Sequence, residues 1–190
     1  DKESISIESI KEFGIENTSK YVKFTVNIDV SPIHLSKLDR DKEPNFEEKT
    51  ILLKTLVEGP ASLYKFEKGN NRKYFYKTND KDIEQLVFKE YRYKNYVKSN
   101  NHFRQQIYNN LKCDHISNDK IRNIKYEEKS LTKLFKAYNS CKDPNYKEKF
   151  KKTKESVFHL NIRPGISLMS MSSYIENSPN STVEFDKKAS

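Results

Sequence analysis

The sequence predicts an α+β fold: an antiparallel β region over residues 1–95, a helical subdomain over residues 96–156, and a C-terminal amphipathic strand with a polar loop over residues 157–190. Three observations carry this reading. Apolar and aromatic residues alternate with polar ones through the first half; near residue 100 the apolar period lengthens from two to about 3.6; and a second alternating run begins at Val157.

Ile5 and Ile7 sit two apart, and after Gly14 the run Tyr21 to Ile28 places Val22, Phe24, Val26 and Ile28 on one face. Lys23, Thr25 and Asn27 take the other, as in a sheet with one wet side. Ile10 and Phe13, three apart, suggest a single helical turn between them, and residues 31–48, with two prolines, many charges and no period, read as a long loop. Residues 49–93 are the organising stretch: four apolar or aromatic runs divided at Glu58-Gly59-Pro60, Gly69-Asn70-Asn71 and Asn79-Asp80. Glycine and asparagine accept the positive φ of tight hairpin turns, so the stretch predicts an antiparallel meander.

After the meander, Asn100 or Asn101 can cap a helix bearing Phe103, Ile107 and Leu111. Ser117-Asn118-Asp119 can start a shorter one carrying Ile121 and Ile124, and Ser130 can cap a third bearing Leu131, Leu134, Phe135 and Tyr138. Each has one apolar stripe, so the helices are expected to cover a face or an end of the sheet. Cys113 and Cys141 fall at the ends of the first and last of them. The intervening link is long enough for those ends to meet in a disulfide, which ranks ahead of two buried thiols and of a zinc site built from Cys113, His115 and Cys141. That zinc set lacks a fourth ligand and the usual paired spacing.

The densest basic cluster follows: Lys147, Lys149, Lys151, Lys152 and Lys154, relieved only by Glu148. From Val157 to Met169 the even positions hold Phe158, Leu160, Ile162, Pro164, Ile166 and Leu168, while polar residues dominate the odd ones. Such alternation fits a transmembrane β-strand, although by pattern alone an amphipathic strand of a soluble sheet is the more common source of it. Pro164 cannot donate to a ladder and calls for a bulge or an edge in either case. Residues 172–190 are a Ser/Asn-rich loop with the beginning of a second strand at residues 182–185.

Composition limits the function classes. Eleven phenylalanines and twelve tyrosines, with 34% hydrophobic residues overall, can fill the core of one domain with a small appendage. The 36 Lys+Arg against 27 Asp+Glu leave a net charge of +9, which brings nucleic acid, anionic lipid and acidic partners into view. Acidic residues are interleaved with most of the lysines, however, and a solvated surface is the default reading. No stretch approaches the roughly 18 apolar residues that a membrane helix requires. No signal peptide is visible, and because the sequence opens at Asp1 nothing follows from that.

The glycines Gly14, Gly59, Gly69 and Gly165 form no phosphate-cradling cluster, and neither nucleotide-binding fingerprint occurs. His34, His102, His115 and His159 lack ligand spacing, there is no G-x-S-x-G elbow, and Glu47-Glu48 and Glu127-Glu128 fall in charged stretches taken as loops. The sequence therefore predicts no enzyme, no metal and no cofactor. A nucleic-acid reading draws on Tyr74, Phe75 and Tyr76 beside Arg72, Lys73 and Lys77, followed by Tyr91, Arg92, Tyr93 and Lys94, as a cation-lined stacking surface.

Taken together, Lys11-Glu12-Phe13-Gly14, Leu56-Val57-Glu58-Gly59-x-Ala61-Ser62-Leu63-Tyr64, Tyr74-Phe75-Tyr76, Gln105-Gln106 with Leu111-Lys112-Cys113, Tyr138-Asn139-x-Cys141 and Leu160-Asn161-Ile162-Arg163-Pro164-Gly165 give the chain a family likeness. It resembles the periplasmic N-terminal region plus first barrel strand of flavobacterial (Bacteroidota) outer-membrane β-barrel proteins. The resemblance implies that both cysteines recur in the helical part and that Asn161 to Gly165 opens the barrel, with Phe158, Leu160, Ile162, Ile166 and Leu168 towards lipid. A closed barrel needs at least eight strands, so these residues hold only its opening. The function expected is a non-catalytic interaction or accessory module at the periplasmic face of the outer membrane. Its partners would be the membrane or a barrel-forming chain, with anionic lipid touching the basic cluster. The alternative is a cytosolic, aromatic-rich nucleic-acid-binding protein.

Overall fold

A computed structural model describes residues 11–15 and 19–148 of the chain. The chain divides into two compact units, Asp1–Thr153 and Lys154–Ser190, and every described residue belongs to the first.

Six strands form an antiparallel sheet in simple sequence order: β1 (Glu12–Ile15), β2 (Ser19–Asp29), β3 (Phe46–Val57), β4 (Ala61–Lys68), β5 (Asn71–Thr78) and β6 (Lys81–Leu86). Two further strands, β7 (Lys89–Tyr93) and β8 (Tyr96–Asn100), make a separate hairpin, and α1 (His102–Asn110), α2 (Asn118–Arg122) and α3 (Glu128–Lys142) follow. The fold is α+β, as the periodicity predicts. The meander turns fall at the predicted breaks: Lys68 pairs with Asn71 around Gly69-Asn70, and Thr78 with Lys81 around Asn79-Asp80. Gly69 takes φ +59°, a left-handed position that glycine occupies without steric cost. Along β2, Val26 and Ile28 are buried while Thr25 and Asn27 face solvent.

Several local expectations are corrected. Phe13 belongs to β1 rather than to a helical turn, because its strand pairs with β2 and its ring stacks on Tyr21, centroids 4.9 Å apart. Residues 46–48, assigned to the long loop, begin β3, so Glu47 and Glu48 are strand residues. Residues 96–100, assigned to the helical subdomain, are β8. Ser130 does not cap α3, which starts two residues earlier with Glu127 in the extended N-cap conformation. An apolar stripe fixes a helix's buried face but not its first turn, and here Glu128 adds that turn while pairing with Lys65 at 3.1 Å. Ser117 does cap α2, its side chain accepting from the Lys120 N–H.

The helices cover one face of the sheet. Val57, Ala61, Leu63, Tyr74, Tyr76 and Leu86 meet Phe103, Ile107 and Leu111 around α1, Ile121 of α2, and Leu131, Leu134 and Phe135 of α3 in one continuous core. Three buried side chains pin this layer to the backbone. Asn139 of α3 accepts from the Ala61 N–H at 2.8 Å and donates to the Ala61 carbonyl at 2.9 Å. Gln106 of α1 likewise accepts from the Val87 N–H and donates to the Gln85 carbonyl. The Tyr126 hydroxyl accepts from the Tyr74 N–H and donates to the Leu86 carbonyl. Each satisfies backbone groups that would otherwise be buried without partners. Gly59 makes the Asn139 contact sterically feasible, since a Cβ there would lie 2.6 Å from the Asn139 amide nitrogen.

The other face of the sheet is buried too, because the meander curls until β2 lies against β6. Val26, Ile28, Leu53, Tyr64 and Phe75 fill the inside of the curl. Its end is closed by polar groups: Lys73 Nζ lies 2.6 Å from Asp29 Oδ2, Asp29 Oδ1 accepts from the Ser31 N–H, and the Asp29 N–H donates to Gln85 Oε1.

Candidate functional site

Residues 31–45 and the β7–β8 hairpin pack against one another alongside this core. The ends of the loop meet where Val30 N–H donates to the Asn45 carbonyl and Asn45 N–H to Ser31 Oγ. The loop then runs along β7. Buried Lys89 donates to the Glu43 carbonyl at 2.6 Å and pairs with Asp39 at 3.1 Å. The Asn100 amide donates to the Lys42 carbonyl, the Arg92 N–H to the Asp39 carbonyl, and the Arg92 guanidinium to the Leu35 carbonyl at 2.9 Å. These bonds cover the base of the hairpin and one edge of β7.

The tip is open. Strand register places Tyr91 opposite Lys98, Arg92 opposite Val97 and Tyr93 opposite Tyr96, so Tyr91, Tyr93, Tyr96 and Lys98 share one face while Arg92 and Val97 share the other. Tyr96 is 72% exposed, Leu35 64%, and Tyr93 and Val97 47% each. Lys98 Nζ stands 3.9 Å from the centre of the Tyr93 ring, within cation–π range. The turn residue Lys94 has φ 54°, the single non-glycine at positive φ among the described residues. A left-handed backbone costs a side chain such as lysine about 1 kcal/mol. The tip thus presents apolar, aromatic and cationic side chains to solvent.

A cavity of about 300 Å³ opens beside the closed end of the curl, its walls including Asp29, Ser31, His34, Lys73, Lys89 and Tyr126. Asp29 and Lys73 pair with each other in its wall, while Lys89 is held by Asp39 and the Glu43 carbonyl. Burial acts to raise the Asp29 carboxyl, but hydrogen bonds from Lys73 and Ser31 outweigh it and hold the group below the usual carboxylate range. Burial pushes the Tyr126 hydroxyl up, beyond any physiological titration.

The residues singled out from the sequence fare differently. Cys113 and Cys141 are joined in a disulfide, Cα atoms 6.5 Å apart, tying the segment after α1 to the last turn of α3; neither a pair of free thiols nor a thiolate zinc set is present there. His34, His102 and His115 are exposed and far from forming a metal cluster among the described residues. Lys147 is exposed, whereas Lys149, Lys151, Lys152 and Lys154 lie outside the described residues. So do Ile5, Ile7, Ile10, the expected membrane-strand residues Phe158, Leu160, Ile162, Ile166 and Leu168, and residues 182–185. The proposed stacking surface is corrected in its first half. Tyr74, Phe75 and Tyr76 are each at most 3% exposed, because helices cover one face of β5 and the curl covers the other. Arg72 and Lys77 of that half are exposed, but the accessible aromatic residues are those of the second half, Tyr91 to Lys94. The hairpin itself escaped the sequence reading, though Lys94-Asn95 between Tyr-Arg-Tyr and Tyr-Val-Lys carried a turn signal.

Comparison with protein-family models, with curated proteins and with solved structures finds no significant match to this chain.

Proposed function

We propose that this chain is a non-catalytic interaction module of the cell envelope, acting at the periplasmic face of the outer membrane beside a barrel-forming chain. The observation that supports this best is the Cys113–Cys141 bond. Disulfides persist in oxidising compartments and are rare where glutathione and thioredoxin keep thiols reduced. On the chain-entropy account, closing a loop of this length stabilises the fold by about 3.5 kcal/mol, enough to matter to a domain of ordinary stability. A module specialised for contact accords with the open hairpin tip, whose exposed groups are apolar, aromatic and cationic. The competing nucleic-acid reading has lost the Tyr74 to Tyr76 platform to the core and keeps only the hairpin.

The test is a thiol count on unreduced protein from its native cell, alkylated under denaturing conditions and weighed by mass spectrometry. The expected result is no alkylation and a mass lower by two hydrogens than the reduced chain. Two alkylated thiols would overturn the envelope reading and favour a cytosolic, nucleic-acid-binding role.

A further inference from the structure

We infer that the tip of the β7–β8 hairpin, together with the Leu35 turn held against it, is a docking surface for an anionic lipid bilayer. This deepens the envelope reading and rests on it for the membrane's presence, while the surface itself is argued from its own chemistry.

The exposed side chains are of two kinds. Leu35 and Val97 are aliphatic, and the Arg92 guanidinium links their neighbourhoods: it donates to the Leu35 carbonyl, and its residue lies directly across from Val97. Tyr93 and Tyr96 close the hairpin. Tyrosine suits the boundary between headgroups and acyl chains, where its ring is apolar and its hydroxyl stays wet. Aliphatic side chains gain from an acyl layer, but a nucleic-acid base offers them no stacking. Their presence at the same tip, on the face opposite the tyrosines, lets both faces enter the interfacial layer and is what selects lipid over a single strand, for which an aromatic platform on one face would suffice.

Charge points the same way. Lys94 and Lys98 flank the tip, Arg92 lies behind it, and Lys37 ends the Leu35 turn. Long basic side chains lay their stems along apolar surface and keep their charge among phosphate headgroups. The acidic residues of these segments lie away from the tip: Asp39 pairs with Lys89, Asp41 accepts from the Glu43 N–H, Glu43 sits where its carbonyl meets Lys89, and Glu90 is opposite Ser99 near the hairpin base. Lys94 occupies a left-handed turn position where glycine would be unstrained, so the tip keeps a cation at a conformational cost. The surface is also preorganised, because the buried Lys89 and Asn100 contacts fix the hairpin base to the loop before any membrane is met.

The experiment is cosedimentation of the full chain with vesicles of three parts phosphatidylcholine to one part phosphatidylglycerol, and with pure phosphatidylcholine. Binding to the anionic vesicles is expected, falling with added salt. The triple variant Leu35→Ser, Tyr96→Ser, Val97→Ser should lower the partition coefficient about tenfold or more, since most of the inserted apolar area is removed. The double variant Lys94→Gln, Lys98→Gln should lower it by about fivefold and flatten the salt dependence. Urea unfolding of both variants should match the parent, as all five side chains are exposed. Parent-like binding by the triple variant would overturn the proposal and move attachment elsewhere in the chain. Absence of vesicle binding would overturn it as well, as would hairpin-dependent binding of an oligothymidylate without vesicle binding. Failure here is distinguishable from failure of the envelope reading: an intact disulfide in native material with no vesicle binding removes only the docking surface, whereas free thiols there remove the envelope placement whatever the vesicles show.

Discussion

Lys73-Tyr74-Phe75-Tyr76 on β5 and Tyr91-Arg92-Tyr93-Lys94 on β7 are nearly the same words in sequence, and the molecule uses them in opposite ways. On β5 each of these four side chains is buried: the tyrosines lie under the helices, Phe75 is inside the curl, and even Lys73 is only 4% exposed because Asp29 meets its ammonium. On β7 Tyr93, Arg92 and Lys94 face water, and Lys98 rests on the Tyr93 ring. Alternating aromatic and basic residues thus specify a strand, while its neighbours decide whether that strand is core or contact surface. β5 is flanked by β4 and β6 with layers on both faces; the hairpin has the loop of residues 31–45 along one edge and, among the described residues, no covering layer at its tip.

The comparison is broken most severely at Phe75. Phe75→Ala should lower unfolding free energy in urea by about 4 kcal/mol, the cost of emptying a closed core, whereas Tyr96→Ala should stay within about 0.5 kcal/mol of the parent. Similar losses at the two positions would mean that the hairpin tip is not open. The two cations provide the next contrast. Asp29→Asn leaves Lys73 buried without its counter-charge and should cost about 3 kcal/mol at neutral pH.

The acid limb sharpens that contrast. The Asp29 carboxyl is held below its ordinary value in the folded chain, so its contribution is complete above the unfolded value near pH 4 and disappears as pH falls through the lower folded value. Denaturant titrations from pH 5 down to 2 should show this loss in the parent and a flatter profile in Asp29→Asn. The smallest effect is of opposite sign. Lys94→Gly relieves the left-handed turn and should stabilise the chain by up to about 1 kcal/mol, measured as a raised urea midpoint, while weakening any contact that uses the lysine.

Much of the architecture was legible because it rests on local chemistry. Gly69 specifies its turn through the positive φ it tolerates, Asn79-Asp80 marks the next one as a polar turn pair, Ser117 caps α2 through its hydroxyl, and Phe103, Ile107 and Leu111 declare the buried side of α1 by spacing alone. Other features were illegible because they depend on residues distant in the chain. Strand β8 was obscured because Tyr96 to Asn100 gains strand character only from its pairing with β7, while its neighbours immediately downstream are helical. Glu127 rather than Ser130 begins α3 because Lys65, far off on β4, holds the carboxylate of Glu128.

The amino-acid sequence by itself determined that a β region precedes the helices, the places where the meander turns and the apolar side of each helix, since these follow from turn chemistry and periodicity within a few residues. Tertiary structure alone decided that the meander curls until Asp29 reaches Lys73 and Gln85, that Asn139 closes on the Ala61 backbone in the space Gly59 leaves, and that one Tyr-x-Tyr strand is core while the other stands open. Those outcomes are set by which surfaces meet, and burial on two faces is a property of the assembled layers that no single strand encodes.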